Sequence, residues 1–494
     1  MTLTRTSATE HDGKSGQDTA KRGSRWSLPV LNRFAPPQSA DPAAATAEDA
    51  VGELAPWEMP GAEHAPAIRA GVAPALPGAP TTTRQAEILN TAVIGPPTGT
   101  RGIASARDVL SRTVIAHDPI TAYNETPRLV TSPNSVVLGD IGSGKSSFIK
   151  TVFIARPLIL ARRRAVVFDK KDRGGEGEYA QLARAYGAEP ITFTPNGTGT
   201  KLNVLDAMIS HGSGVGGTAR LLAAIARLAN DGNPLTRWEQ EALRAALHAT
   251  LNHTQDGHTA TLSDVLPQLP AVVNLPDYEE LSPAARDELH RAGLSVQFTF
   301  NSLLEVYGGL LEGETSKDLD LAHKLTVWDI SQLPDDGPGV PIVMAIGHMW
   351  LLGRLRYDRG WATTCVYEEG WHIAAGPSAE LARANQKLSR SVGLGNVFAF
   401  HKGTDIPENS PGMAMVQEAQ SIYVYRQSRP EDAAWCQRTF NFHPETTEQI
   451  VRLPDGHHFF KYGTHPETQA QHIRSGWEIG LTDTDEALNA ARHP

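Results

Sequence analysis

Cysteine is scarce: the 494 residues hold only Cys365 and Cys436. Two thiols so far apart make neither a disulfide framework nor a cysteine metal cluster, so a reducing compartment is the default expectation. Basic charge is also short, with 45 Lys and Arg against 55 Asp and Glu and a formal net charge of -10. A protein that coats duplex nucleic acid with its outer surface carries a basic footprint, and the composition leaves room only for a local basic lining of a pore or groove. Long apolar runs are missing. The most apolar segments, Thr151–Ala161 and Pro341–Leu352, fall short of the roughly 20 residues of a spanning helix, and arginines lie in or beside both. The opening residues, MTLTRTSATEHDGKSGQD, carry no apolar run and read as no secretory signal. Internal repeats are lacking too. The expectation is a cytoplasmic chain for which any membrane contact is peripheral, without a lipid anchor.

What is present divides into unlike parts. Residues 1–82 are rich in Ala, Pro, Gly and Glu, show no sustained period of 2 or 3.6, and are expected to be disordered. A mildly basic piece, Lys14, Lys21, Arg22, Arg25 and Arg33 around Trp26 and Leu28, reads as solvated tail or as a docking motif for a partner or an anionic membrane. From residue 136 short apolar runs alternate with helical stretches. VVLG (136–139), AVVFD (165–169), ITFT (191–194), LTVWDI (325–330), TTCVYEE (363–369), NVFAFHK (396–402) and SIYVYR (421–426) read as strands. Alternating β and α units imply a mostly parallel sheet covered on both faces. Residues 208–324 break the rhythm, because TARLLAAIARLAND and PLTRWEQEALRAALHATLNH place apolar residues at i, i+3, i+4 and i+7. Thr236 followed by Glu239 resembles a capping box that opens the second of these helices. The expected organisation is therefore a tail (1–82), the first part of an α/β domain (83–207), an all-α insertion (208–324), the second part of that domain (325–480) and a C-terminal tail (481–494).

The chemistry starts at Gly139-Asp140-Ile141-Gly142-Ser143-Gly144-Lys145-Ser146, followed by Ser147. Phosphate oxygens need several donors at close range, and a glycine-rich turn lets backbone N–H groups converge on them. Gly139, Gly142 and Gly144 supply the turn, Lys145 reaches the β- and γ-phosphates, and the Ser146 hydroxyl suits Mg²⁺. An apolar strand before it and a helix after it complete the context, so ATP with Mg²⁺ is the expected ligand pair.

A second element is CVYEEGW (365–371). A buried strand ending in two carboxylates offers Glu368 to support Mg²⁺ and Glu369 as the general base for the attacking water. Asp329, ending LTVWDI, competes for the metal role but has no second carboxylate after it. Asp169 ends another strand beside the crevice, and the loop FDKKDRGGEGEY that follows is placed to meet nucleotide or a neighbouring subunit. His401 ends the strand NVFAFH, where a polar side chain senses the γ-phosphate or simply bonds backbone. The motif set leaves the site without an arginine of its own near the P-loop; the nearest downstream, Arg156, is about three helical turns on.

The order P-loop, FDKKDRGGEGEY, KLNVLD, helical insertion, VWDIS, VYEEGWHI and LSRSVGLGNVFAFHKGTD resembles the cytoplasmic ATPases of conjugative type IV secretion. These are the TraC-like and VirB-four-like members of the HerA–FtsK superfamily, and the likeness points to their actinobacterial subgroup. It covers roughly residues 110–465. Asp169 with Glu178 and Tyr179, Asn203 with Asp206, Glu368 to Trp371, Arg390, and His401 with Asp405 fall on the family's motif positions. SIYVYRQSRPEDAAW and RLPDGHHFFKYG look like its closing strands. The family pattern has Asp where Glu368 stands and Gln where His401 stands, and its large N-terminal domain has no counterpart here.

The resemblance implies a RecA-like P-loop NTPase that assembles into a ring, a hexamer being the expected form. A neighbour would donate an arginine, with Arg390 first and Arg426 second as candidates. The partners implied are membrane-embedded secretion or conjugation channel proteins, with DNA as a further candidate. Two other functions compete: a DNA-pumping translocase of the same superfamily, and an ATP-binding scaffold that does not hydrolyse.

Overall fold

The seven apolar runs read as strands pair side by side as a parallel block, and four further strands extend one edge antiparallel. In this computed structural model the described residues are 101–210, 214–253, 259–374, 378–380, 390–408 and 410–482. The expected tails, 1–82 and all but the first two residues of 481–494, lie outside them. Strands β1 (Ala104–Asp108), β2 (Val114–Ala116), β3 (Ser135–Leu138), β4 (Arg163–Asp169), β5 (Ile191–Thr192), β6 (Leu325–Asp329), β7 (Ala362–Tyr367), β8 (Leu394–Phe400), β9 (Ser421–Tyr425), β10 (His457–Tyr462) and β11 (Thr468–His472) make one sheet. Its order is β2-β1-β11-β10-β9-β3-β8-β7-β4-β6-β5. Every pairing from β9 to β5 is parallel, and those from β2 to β9 are antiparallel.

Alternation along each strand feeds two cores, one on each face. Val136, Leu138, Val166 and Phe168 point to a face covered by the helix Gly339–Tyr357, whose Val340 to Leu355 segment is almost wholly buried. Val137, Ala165 and Val167 point to the other, against Phe148, Val152, Phe153 and Leu158 of the helical run after the P-loop. A side chain of this size stabilises the fold by about 1.5–3 kcal/mol when fully buried, which explains why these strands read as continuous apolar runs. Gly347 permits the closest approach: a Cβ there would stand 2.5 Å from the Phe168 ring.

The helix after the P-loop departs from the expected plain α-helix. It begins as α over Lys145–Phe148, widens to a π-segment over Ile149–Ala155, and returns to α over Arg156–Ile159. Between β5 and β6 the regular elements among the described residues are all helices, with Gly214–Ala229, Arg237–His253 and the long Pro283–Leu311 packed together. The Thr236 capping box is present: Thr236 N–H donates to the Glu239 carboxylate at 2.7 Å, and Glu239 N–H to the Thr236 hydroxyl at 3.2 Å. Asn203, a family motif position, is buried well inside this region, where it donates to the Ala260 carbonyl at 2.8 Å and accepts from Leu205 N–H at 3.0 Å.

Candidate nucleotide site

Strand order builds the site. In the run β3-β8-β7-β4 the four carboxyl ends lie side by side, so the segments following them share one crevice. These are the P-loop after β3, His401 after β8, Glu368 and Glu369 after β7, and Lys171 after β4. A cavity of about 670 Å³ opens there, lined by the P-loop with Lys171, Glu178, Glu369 and His401. Asp455, Gly456, His472, Arg474 and Thr482 close its other side.

The P-loop adopts the turn its glycines permit. Gly142 and Gly144 have φ of 79° and 97°, the left-handed region that L side chains avoid. Gly139 is required for another reason, since a Cβ would stand 2.5 Å from that of Tyr425. Asp140 lines the cavity, and its carboxylate accepts from Ser428 N–H at 2.6 Å and from the Ser428 hydroxyl. Ile141 is exposed at the rim, and Ser143 is buried with its hydroxyl donating to the Asp140 carbonyl at 2.7 Å. The Ser147 hydroxyl donates to the Gly144 carbonyl at 2.8 Å and closes the first turn.

Glu368 and Glu369 sit in different surroundings. Glu368 is buried and its carboxylate accepts three hydrogen bonds, from Ser146 Oγ at 2.5 Å and Lys171 Nζ at 2.9 Å on Oε1 and from Tyr179 OH at 2.6 Å on Oε2, while its N–H donates to Phe168 O at 3.4 Å. Burial alone would raise its pKa. Lys171, Lys145 and the Ser146 and Tyr179 hydrogen bonds outweigh burial and hold it at about 2. Glu369 faces the cavity, with Oε1 3.3 Å from His401 Nε2 and Oε2 accepting from Trp371 Nε1 at 3.1 Å.

His401 links the cradle to the second carboxylate. Its Nδ1 lies 3.3 Å from Lys145 Nζ. An ammonium has only donors, so Nδ1 accepts and Nε2–H is left to donate to Glu369. Burial pushes Lys145 down to about 8, Lys171 adding repulsion and Glu368, Glu369 and Glu178 opposing it.

The 170–179 loop is fastened from below. Asp169 Oδ2 accepts Tyr179 N–H at 2.7 Å, and Asp329 accepts Gly177 N–H at 2.9 Å and Ser331 N–H at 3.0 Å. The two carboxylates face each other across β4 and β6. Burial, then repulsion from Glu178, Glu368 and Asp329, raises Asp169 well above the carboxylate range despite the Tyr179 bond. Asp169 and Asp329 therefore shape the loop and stay outside the cavity lining. From the P-loop helix, buried Lys150 reaches Glu178 at 2.8 Å.

Arginine placement differs from the reading of the sequence. Arg156 is taken up by Glu478 at 2.6 Å and by the Ala104 and Ile473 carbonyls. Arg474, far along the chain, does line the cavity and donates to Thr482 Oγ1 at 3.1 Å. The expectation that no arginine of the same chain stands at the P-loop is thus corrected. The antiparallel edge causes this, because β11 returns the chain beside the P-loop helix, where His472 Nε2 meets Thr151 Oγ1 at 2.7 Å. Arg426 pairs with Asp455 at 2.8 Å. Gly456 N–H donates to Ser143 O at 3.0 Å, so the turn before β10 clamps the P-loop. The Arg390 backbone starts a short 3-10 turn, Arg390–Val392; its side chain, and that of Asp405, lie outside the described residues.

The donor set fits Mg²⁺. The Ser146 hydroxyl lines the cavity and the Glu368 carboxylate is buried in contact with it; both are hard oxygen groups, and Mg²⁺ commonly takes one or two protein groups and completes its shell with phosphate oxygens and water. Among the described residues no cluster of three His, Cys, Asp or Glu could hold a metal unaided. None of the described helices is long and apolar enough to cross a membrane.

No family model and no curated protein matches this chain. Solved structures do. VirB4 of Thermoanaerobacter pseudethanolicus superposes with a TM-score of 0.61 at 17% identity, over 78% of this chain and 100% of that one. The plasmid coupling protein TrwB in complex with ADP and Mg²⁺ gives 0.50 at 13% identity, over 76% and 90%. The same protein with a non-hydrolysable ATP analogue gives 0.50 at 13%, over 80% and 96%. At such identities the likeness establishes the fold: the chain has the RecA-like P-loop NTPase fold that these structures share.

Proposed function

We propose that the chain hydrolyses ATP to ADP and phosphate and that this drives a conjugative or type IV secretion machine. One observation carries the reading. A glycine cradle with Lys145, a Ser146 hydroxyl bonded to the buried Glu368 carboxylate, and a cavity-facing Glu369 meet at one 670 Å³ space that Lys145, Ser146 and Glu369 line. Backbone N–H groups of 142–146 and the Lys145 ammonium hold the β- and γ-phosphates. Ser146 and Glu368 would hold Mg²⁺, which would supply charge neutralisation at those phosphates. Glu369 accepts a proton from water as the water oxygen bonds to the γ-phosphorus. The bond from that phosphorus to the bridging oxygen breaks, ADP keeps the oxygen, and the proton stays on Glu369 until released. His401 exchanges its contact with Lys145 for one with the γ-phosphate, which couples nucleotide state to the freedom of Glu369.

The chain works as a ring, a hexamer in this reading, with Arg390 of one subunit completing the site of the next. It associates from the cytoplasmic side with membrane-embedded channel proteins. The overall resemblance of motif order and the shared fold with VirB4 and TrwB support this reading. A nucleotide-gated scaffold is the second reading, favoured by the hydrogen bond that ties Glu369 to His401. Phosphate release from purified protein, with and without DNA, separates the alternatives. DNA-independent turnover supports the secretion ATPase, turnover requiring DNA supports a translocase, and binding without turnover supports the scaffold.

A further inference from the structure

Lys171 has no assigned part in the chemistry above, yet it is the most deliberately placed cation in the cavity. Its Nζ lies 2.8 Å from Ser146 Oγ and 2.9 Å from Glu368 Oε1, with Glu178 at 3.6 Å. Those first two groups are the ones that suit a divalent cation. The loop that carries Lys171 is not free to drift. It is anchored by Asp169 to Tyr179 N–H, by Asp329 to Gly177 N–H and by Lys150 to Glu178. The Lys171 side chain itself is about a quarter exposed (28%), so it retains a route into the cavity.

Charge and distance decide what this means. Without Lys171, the Glu368 carboxylate would be buried beside Ser146 with hydrogen bonds but no counter-charge in contact, a costly arrangement. A metal ion held by Ser146 would need to approach the hydroxyl oxygen to about 2.1 Å. An ammonium hydrogen-bonded to the same oxygen occupies that approach, and two cations so close would repel strongly. The two occupancies exclude each other.

We propose that Lys171 is the counter-cation of Glu368 and competes with Mg²⁺ for the Ser146–Glu368 pair. Lys171 must leave Ser146 before a divalent cation can be held there, and its flexible stem then carries the charge into the phosphate-filled cavity. Mg²⁺ is admitted only as Lys171 is displaced, so nucleotide affinity rises with Mg²⁺ over the range in which the metal outcompetes the ammonium. This inference rests on the reading of the cavity as an ATP site and adds a determinant of its metal requirement.

The test is the Mg²⁺ dependence of binding by a fluorescent non-hydrolysable ATP analogue to the full chain. Lys171→Met and Lys171→Gln should lower the Mg²⁺ concentration for half-saturation by about tenfold or more, the worth of one charge-assisted competitor. An unchanged or raised requirement in folded variants overturns the proposal. A wild-type measurement guards against variants that fail to fold. With the analogue bound, labelling of Lys171 by an amine-reactive reagent should be several-fold faster in Mg²⁺ than in EDTA, and equal rates overturn the proposal. If the wild type binds no analogue at any Mg²⁺ concentration, the reading of the cavity falls and this inference with it. Binding with unaltered metal dependence in the variants removes this inference alone.

Discussion

The Nε2 of His401 stands 3.3 Å from Oε1 of Glu369, on the ring opposite to the nitrogen that faces Lys145. The ring thus joins the phosphate-binding ammonium to the carboxylate assigned to the water. Glu369→Gln keeps the shape and removes the base, so nucleotide should bind with near wild-type affinity while turnover falls about 10²–10⁴-fold. Phosphate release and equilibrium binding measured on one preparation check this. Persistent turnover in Glu369→Gln, together with its loss in Glu368→Gln, would reverse the two roles.

The pH dependence of nucleotide affinity follows from Lys145. Its pKa in the free site is pushed down to about 8, and bound phosphates favour the charged form and raise it. Affinity is therefore full below pH 8 and declines as pH rises through 8, by up to about tenfold per unit. Isotherms between pH 6.5 and 9.5 test it. Lys145→Ala should weaken binding severely and flatten this dependence, with the fold intact.

Sequence alone carried the parallel half of the molecule and missed the edge that faces it. VVLG, AVVFD and CVY announce themselves because strands buried on both faces are apolar without interruption. β1, β2 and β11 do not: ASARD, VIA and TQAQH mix small and polar residues on a sheet that is only partly covered. For that reason Arg474, His472 and Gly456 were invisible as wall residues of the nucleotide cavity. Glu368 and Glu369 were legible as a pair, because a buried strand seldom ends in two carboxylates. The contact of Lys171 with Ser146 depends on a loop whose course is fixed by Asp169 and Asp329, and no local pattern encodes it.

Glu368 makes acid stability a readout of the Ser146–Lys171–Tyr179 network. Its pKa is depressed from 4.5 in the unfolded chain to about 2 in the fold. A depressed carboxylate contributes stability that is present above pH 4.5 and lost as pH falls toward 2, here roughly 3 kcal/mol. Glu368→Gln should lower stability at neutral pH by a comparable amount and make the loss between pH 4.5 and 2 shallower. Denaturant melts at several pH values measure this; parallel curves for the two proteins would refute the assignment.

Arg390 and Arg474 predict opposite outcomes on mixing. Arg474 lines the cavity of its own chain, so Arg474→Ala subunits mixed with Glu369→Gln subunits contain no cavity with both groups intact and should recover nothing. Arg390→Ala subunits mixed with Glu369→Gln subunits should recover activity, since an intact base can meet a neighbour's intact arginine. Activity per chain should also rise with protein concentration as rings form. Constant specific activity on dilution, without rescue, would place the whole site within one chain.

The central claim is that the cavity between Lys145, Ser146 and Glu369 holds a nucleoside triphosphate. Equilibrium binding of a labelled, non-hydrolysable ATP analogue to the full chain and to its Lys145→Ala variant tests it most directly. The account predicts saturable one-to-one binding by the wild type and a loss of about 10-fold or more in the folded variant, the least that removal of a charge-assisted contact to phosphate should cost. Equal binding by both proteins, or none by the wild type, would contradict it.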